Sequence, residues 1–109
     1  MFIRYQDASA RGGDNVEIRN YITKSICDSF SLAVVSLNGP HPRTMTKSSD
    51  RAYLIVEGEA EVEVGSKMSH VQAGDAVYIP KGTPHSITGK VRYVIVNSPP
   101  FDPSNEMAL

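Results

Sequence analysis

One histidine in this chain has its position dictated by its neighbours. In the segment Gly74-Asp-Ala-Val-Tyr-Ile-Pro80-Lys-Gly82-Thr-Pro84-His85, Gly74 and Asp75 make a tight turn because both tolerate positive φ. Ala76 to Ile79 is a short β-branched and aromatic run that reads as a strand. Pro80 cannot donate to a sheet ladder and ends it, Gly82 permits a conformation other residues avoid, and Pro84 holds Thr83 extended. His85 therefore emerges at a set point, and an imidazole there suits acid–base chemistry or ligation. Upstream, Arg51, Tyr53 and Ile55 alternate along a second strand and share one face. An arginine fork suits a carboxylate or phosphate, and a tyrosine hydroxyl can donate a proton. His41, between two prolines, and His70, on a short strand, read as exposed polar side chains. A metal site built from His41, His85 and Asp50 has no spacing signature. No Ser/His/Asp pattern, Gly-rich phosphate loop or basic-aromatic stripe is present.

The elements that must position these groups are strands. Val16 to Thr23 forms a short one, and Phe30 to Leu37 another, ended by Asn38-Gly39-Pro40. Residues 40–50 read as a loop with one short extended piece. Arg51 to Glu57 is a strong strand, Gly58 its turn and Glu59 to Val64 its partner. After the turn at Gly65-Ser66-Lys67 come Met68 to Val71 and then the Gly74 element. His85 to Thr88 and Val91 to Asn97 follow, with Gly89-Lys90 between them. Turn signals recur every several residues and no helical period persists, which predicts an all-β sandwich or barrel. In Glu59 to Val64, Ala60, Val62 and Val64 face the core and the glutamates form a solvated row that discourages edge pairing. The strands from Arg51 and Val91 carry apolar residues on both faces, so both faces are covered; in one small barrel the outer cover is a second subunit, and a homodimer is expected.

Length and composition exclude several classes. A chain of 109 residues predicts one domain, residues 1–109, with its barrel core at about 16–98 and a Pro-rich tail at 99–109. The net charge of −1 supplies no field for nucleic acid or an anionic membrane. The single cysteine, Cys27, cannot form an intramolecular disulfide and reads as a small core residue in a reducing compartment. No signal-peptide pattern and no membrane-length apolar run are visible, so a cytoplasmic protein is expected.

Gly74, Pro80, Gly82 and His85 match, position for position, the second motif of the cupin family, which this chain resembles over roughly residues 30 to 98. That motif closes with Asn, where this chain has Gly89. Gly39 and Gly58 stand at the separation that frames the family's first motif, but its ligand positions fall on Met45, Lys47 and Arg51. The resemblance implies a double-stranded β-helix, the cupin jelly-roll barrel. In the family, two His, a Glu and the second-motif His hold a divalent metal inside the barrel. Here two of those positions are cations. A divalent ion about 5 Å from two unit charges, at an effective dielectric of ~20, meets on the order of 10 kcal/mol of repulsion. No metal and no cofactor are expected.

If the replaced positions keep the family's inward direction, Met45, Lys47, Arg51, Tyr53 and His85 line one basic pocket, suited to a small anionic molecule such as a carboxylate, phosphate or sugar acid. The counter-reading lets both cationic heads snorkel to the rim and pair with Asp50, Glu57 or water. Metal-free relatives in the family include sugar-nucleotide epimerases and isomerases, which implies a second reading: an isomerase or epimerase acting on a sugar or keto acid, with His85 as base and Tyr53 as acid. A third is a non-catalytic sensor or interaction module. In the tail, Phe101 is expected to plug one end of the barrel, and whether Glu106 reaches the basic cluster is left open.

Overall fold

Short β-branched and aromatic runs separated by Gly, Pro, Asn and Asp build an antiparallel β-structure. A computed structural model describes all 109 residues. Its strands are β1 (Ser9–Gly12), β2 (Val16–Ile22), β3 (Ser31–Thr46), β4 (Asp50–Val64), β5 (Lys67–Gln72), β6 (Ala76–Ile79), β7 (His85–Ser98) and β8 (Glu106–Ala108). They pair in the order β1-β2-β3-β7-β4-β5, with β8 added to β3 and β6 to β4. β6 pairs with Arg51 to Leu54 and β5 with Glu59 to Val64, so the two short strands share β4. The sheet curls into the expected jelly roll. No helix is long and apolar enough to cross a membrane.

Three predicted breaks are not breaks. Gly39-Pro40, Gly58 and Gly89-Lys90 lie inside β3, β4 and β7, which run on for 16, 15 and 14 residues. Gly39, Gly89 and Ala60 are cross-strand neighbours, so the three strands meet at their smallest side chains. A Cβ on Gly89 would overlap the Glu59 carbonyl oxygen, and one on Gly58, at φ +80°, would overlap the Lys90 carbonyl oxygen. These glycines permit close approach and bending of continuous strands, which in a linear reading looks like a turn signal. The contact at Gly89 also accounts for the missing Asn of the second motif.

Alternation sorts the faces, and two bulges reset it. Val35 and Leu37 of β3, Tyr53 and Ile55 of β4, and Ile87, Val91 and Tyr93 of β7 point inward and form the core with Ala60, Val62, Val71 and Ile79. In β4 the register shifts between Ile55 and Glu57, so the inward set passes from odd to even numbers, from Ile55 to Ala60 and Val62. On the outer face Leu32, Val96, Ala52 and Tyr78 form one row across β3, β7, β4 and β6. Val34, Val94, Leu54 and Ala76 form the next. Leu54 is 47% exposed and Tyr78 63%, so nothing within the chain covers this apolar face.

Candidate functional site

The Gly74 element behaves as its residues dictate. Gly74 and Gly82 have positive φ, the Gly74 amide donates to the Ile55 carbonyl and the Gly82 amide to the Thr46 carbonyl. His85, 1% exposed, then opens β7. Its Nδ1 lies 2.9 Å from the Thr83 carbonyl and its Nε2 lies 3.1 Å from Nη1 of Arg51. A carbonyl only accepts and a guanidinium only donates. Nδ1 therefore carries the proton, and the Nε2 lone pair accepts from Arg51. Burial holds the His85 pKa below its usual value against the opposing effect of the Thr83 bond, and the Arg51 charge adds to the lowering.

Arg51 is the centre of the cluster. It is 4% exposed, inward on β4, directly across from Asn97 of β7. Its Nε donates to Asn97 Oδ1 at 2.6 Å and its Nη2 to Glu106 Oε1 at 2.8 Å. Glu106 comes from the tail. Asp102 caps a single turn of 3-10 helix at Pro103–Asn105 by accepting from the Ser104 amide, and the turn delivers β8 to the edge of β3. The Lys47 amide donates to the Asn105 carbonyl at 2.9 Å and the Leu109 amide to the Arg43 carbonyl at 3.1 Å. The Thr44 hydroxyl donates to the Met107 carbonyl at 2.9 Å. A buried guanidinium is thus met by one carboxylate, one amide oxygen and one imidazole, and no buried side-chain polar atom is left without a partner.

Beside this cluster lies a cavity of about 240 Å³. Arg51, Tyr53, Tyr93, His41, Asn97 and Glu106 contribute to its wall. The Tyr53 and Tyr93 rings are tilted by 43° with centroids 4.6 Å apart, and Tyr53 meets His85 edge-on at 6.4 Å. Burial raises the Tyr53 pKa to about 12, against the lowering effect of Arg51, and raises that of Tyr93 as well. Both phenols are therefore hydrogen-bond donors at neutral pH. His41 Nδ1 lies 3.1 Å from the Pro42 carbonyl, so its neutral form has the proton on Nδ1 and Nε2 as the acceptor. Phe101 stands at the wall with the Arg11 guanidinium 5.3 Å from its ring centroid.

Of the five pocket residues expected from the sequence, the fold brings Arg51 and Tyr53 to the cavity and not the other three. Met45 and Lys47 turn away because β3 carries a bulge between His41 and Thr44, where three steps along β3 oppose two along β7. Pro42 cannot donate to the ladder there, and one extra residue sends every later side chain to the other face. Thr44 and Thr46 point inward in their place, and Lys47 is exposed. His85 lies beside Arg51 with both ring nitrogens engaged. The pocket is also not simply basic, since Lys47 is outside it and Glu106 meets the Arg51 charge. His41, read as exposed, lines the cavity. His70 lies outside the barrel with Nδ1 2.7 Å from Glu61, whose hydrogen bond raises its pKa.

Sequence reasoning missed Asn97 and Tyr93 as site residues and left the place of Glu106 open. Asn97 and Tyr93 had a signal, the inward alternation Val91, Tyr93, Ile95, Asn97. Glu106 had none, because its place depends on where the tail returns. The positions matching the family's metal ligands do not fit a divalent cation: the only lone pair of His85 is taken by a guanidinium, and no three His, Cys, Asp or Glu side chains converge.

Comparison with known proteins agrees with this architecture. A family model described as "Cupin domain" matches residues 38–97, more than half of the chain. An uncharacterized protein of Streptomyces coelicolor, SCO3923, is 36% identical over 56 residues, 49% of this chain. The matched part spans about half, 53%, of that relative's length. The structure of Pac13 from Streptomyces, described as a nucleoside dehydratase, superposes with a TM-score of 0.91 over 100% of this chain and 90% of that one, at 17% identity. KdgF from Halomonas sp. gives 0.82 over 94% and 96%, at 17% identity. Bacillus subtilis oxalate decarboxylase gives 0.88 over 99% of this chain and 31% of that one, at 19% identity. At these identities the structural likeness is one of fold.

Proposed function

The chain belongs to the cupin family, and we propose that it is a metal-independent, small-molecule-binding member whose ligand is an uncharged, hydroxylated molecule of sugar or nucleoside size. The observation that carries this reading is the state of Arg51. Its charge is met inside the protein by Glu106, so apart from Arg11, which lies over Phe101, what the wall offers a ligand is neutral: two protonated phenols, an imidazole, amide groups and aromatic faces. Such walls recognise hydroxyls and flat rings by hydrogen bonding and stacking. The anionic ligand suggested by the sequence is disfavoured for the same reason. The dehydratase with the same fold has been solved with uridine in variants that replace one histidine or one of two tyrosines, and this cavity also holds one histidine, His41, and two tyrosines. Titration calorimetry with uridine tests the reading. Wild type should bind, and Tyr53→Phe should weaken binding roughly three- to tenfold, the worth of one neutral hydrogen bond. No heat with uridine, ribose or glucose overturns it.

A second reading, a metal-free isomerase or epimerase, is favoured by one observation: His41 lines the cavity with no protein partner on its Nε2, beside two phenols that can donate. The base is then His41, not His85. It would remove a proton α to a carbonyl, and Tyr53 would donate one to the developing oxyanion. Deuterium wash-in at the α-carbon of carbonyl sugars, lost in His41→Gln, separates enzyme from binder. We also propose that a second copy covers the apolar outer face. The row beyond it, Glu17, Ser36 and Arg92, with Glu57 beside Arg92, gives that face a rim of both charge signs that a twofold partner can match.

A further inference from the structure

We infer that Glu106 is the specificity-determining residue of the cavity: a carboxylate supplied by the chain itself occupies the place on Arg51 that an anionic ligand would take, and so excludes acids. The inference rests on the ligand-binding role proposed above and adds what sets the ligand's charge.

Glu106 is built as an occupant more than as a prop. Its Oε1 lies 2.8 Å from Arg51 Nη2, and its side chain is 20% exposed against 5% for Arg51. Both residues line the same cavity. The segment that carries it does not depend on this contact. Three backbone-directed hydrogen bonds, from the Lys47 amide, the Leu109 amide and the Thr44 hydroxyl, dock β8 on β3, and the register sets Glu106 opposite Thr46. The backbone therefore presents the carboxylate whether or not its charge is kept.

Arginine has five N–H donors in a fixed fork. One goes to Asn97, one to His85 and one to Glu106; the Tyr53 hydroxyl also engages the guanidinium, so at most one donor is left for a ligand. A ligand hydroxyl or carbonyl can accept from that edge. A ligand carboxylate reaching the same edge meets Glu106 as a like charge beside it in a half-enclosed site. Repulsion of that kind discriminates by penalising the wrong ligand. The charged side chains lining the cavity are Arg11, Arg51 and Glu106; replacing Glu106 by Gln keeps an oxygen that accepts from Arg51 and leaves both cations unopposed.

The test is calorimetric titration of D-glucose and D-glucuronate, which differ by one carboxylate, into wild type, Glu106→Gln and Glu106→Gln/Arg51→Met. Circular dichroism melts confirm that each variant is folded, and Glu106→Ala stands in should the glutamine variant not be. Wild type should prefer glucose. Glu106→Gln should shift the ratio of dissociation constants toward glucuronate by at least tenfold, and the double variant should lose that shift. An unchanged ratio, no glucuronate binding to either Glu106 variant, or the same gain without Arg51 overturns the inference. Failure of the underlying reading looks different. If Glu106→Gln gains glucuronate while wild type binds neither glucose nor uridine, the uncharged-ligand reading falls and the exclusion of acids stands. If wild type binds uridine and Glu106→Gln gains nothing, the reverse holds.

Discussion

Arg51→Met isolates what the central cluster contributes to stability. The substitution keeps an unbranched apolar stem and removes the guanidinium. Two enclosed acceptors then lose their donor: Asn97 Oδ1, in a residue 3% exposed, and His85 Nε2, in a residue 1% exposed. Each orphaned acceptor costs about 1–3 kcal/mol. The Glu106 side chain, 20% exposed, rehydrates in part and adds less. The sum is about 3–5 kcal/mol, the range found when one partner of a buried charge cluster is removed. At roughly 4 °C per kcal/mol for a domain of this size, Tm should fall about 12–20 °C. Urea denaturation of wild type, Arg51→Met, Glu106→Leu and the double variant reads both the loss and the coupling. The double variant should be more stable than Arg51→Met, because it removes the stranded carboxylate as well. A loss below about 1 kcal/mol in Arg51→Met, or strict additivity, would refute the account of a mutually satisfied buried cluster.

Further outcomes follow from the same geometry. The folded pKa of His85 lies below the usual 6.5, so the unfolded chain binds more protons as pH drops; the stability this group contributes is whole above about 6.5 and is lost as pH falls through the folded value. In a His70→Ala background, which removes a histidine shifted the opposite way, the urea midpoint should decline between pH 7.5 and pH 5, and less steeply in His85→Gln; equal slopes count against the neutral, buried imidazole. Gly89→Asn restores the family's motif residue, yet should destabilise by about 1–3 kcal/mol in urea because its Cβ meets the Glu59 carbonyl; a neutral effect means that the strands do not approach so closely. Leu54→Asp, on the outer apolar face, should convert a dimer to a monomer by light scattering with the fold retained; a wild type already monomeric at micromolar concentrations ends the idea of a paired face.

Much of the fold was legible because it is written in local chemistry. The Gly74–Asp75 turn, the stop at Pro80 and the conformational freedom of Gly82 each act over a few residues, and each behaves as its type requires. The buried set Ala60 and Val62 and the shared face of Arg51 and Tyr53 follow from a period of two. The breaks expected at Gly58 and Gly89 failed for one reason. A glycine that ends a strand and a glycine that lets two strands approach look alike until the neighbouring strand is in place.

The site divides in the same way. The resemblance to the second cupin motif placed His85 in the barrel interior, and alternation set Arg51 beside Tyr53. Three further matters needed the assembled chain. A single extra residue at Pro42-Arg43, visible only as a mismatch between β3 and β7, turned Met45 and Lys47 outward and left His41 in the cavity wall. The pairing of Arg51 with Asn97 joined residues 46 positions apart, and the pairing with Glu106 joined residues 55 apart. Charge compensation is a property of space, not of sequence distance: a buried guanidinium needs a partner, its presence in the chain announces that need, and only the return of the tail shows which carboxylate meets it.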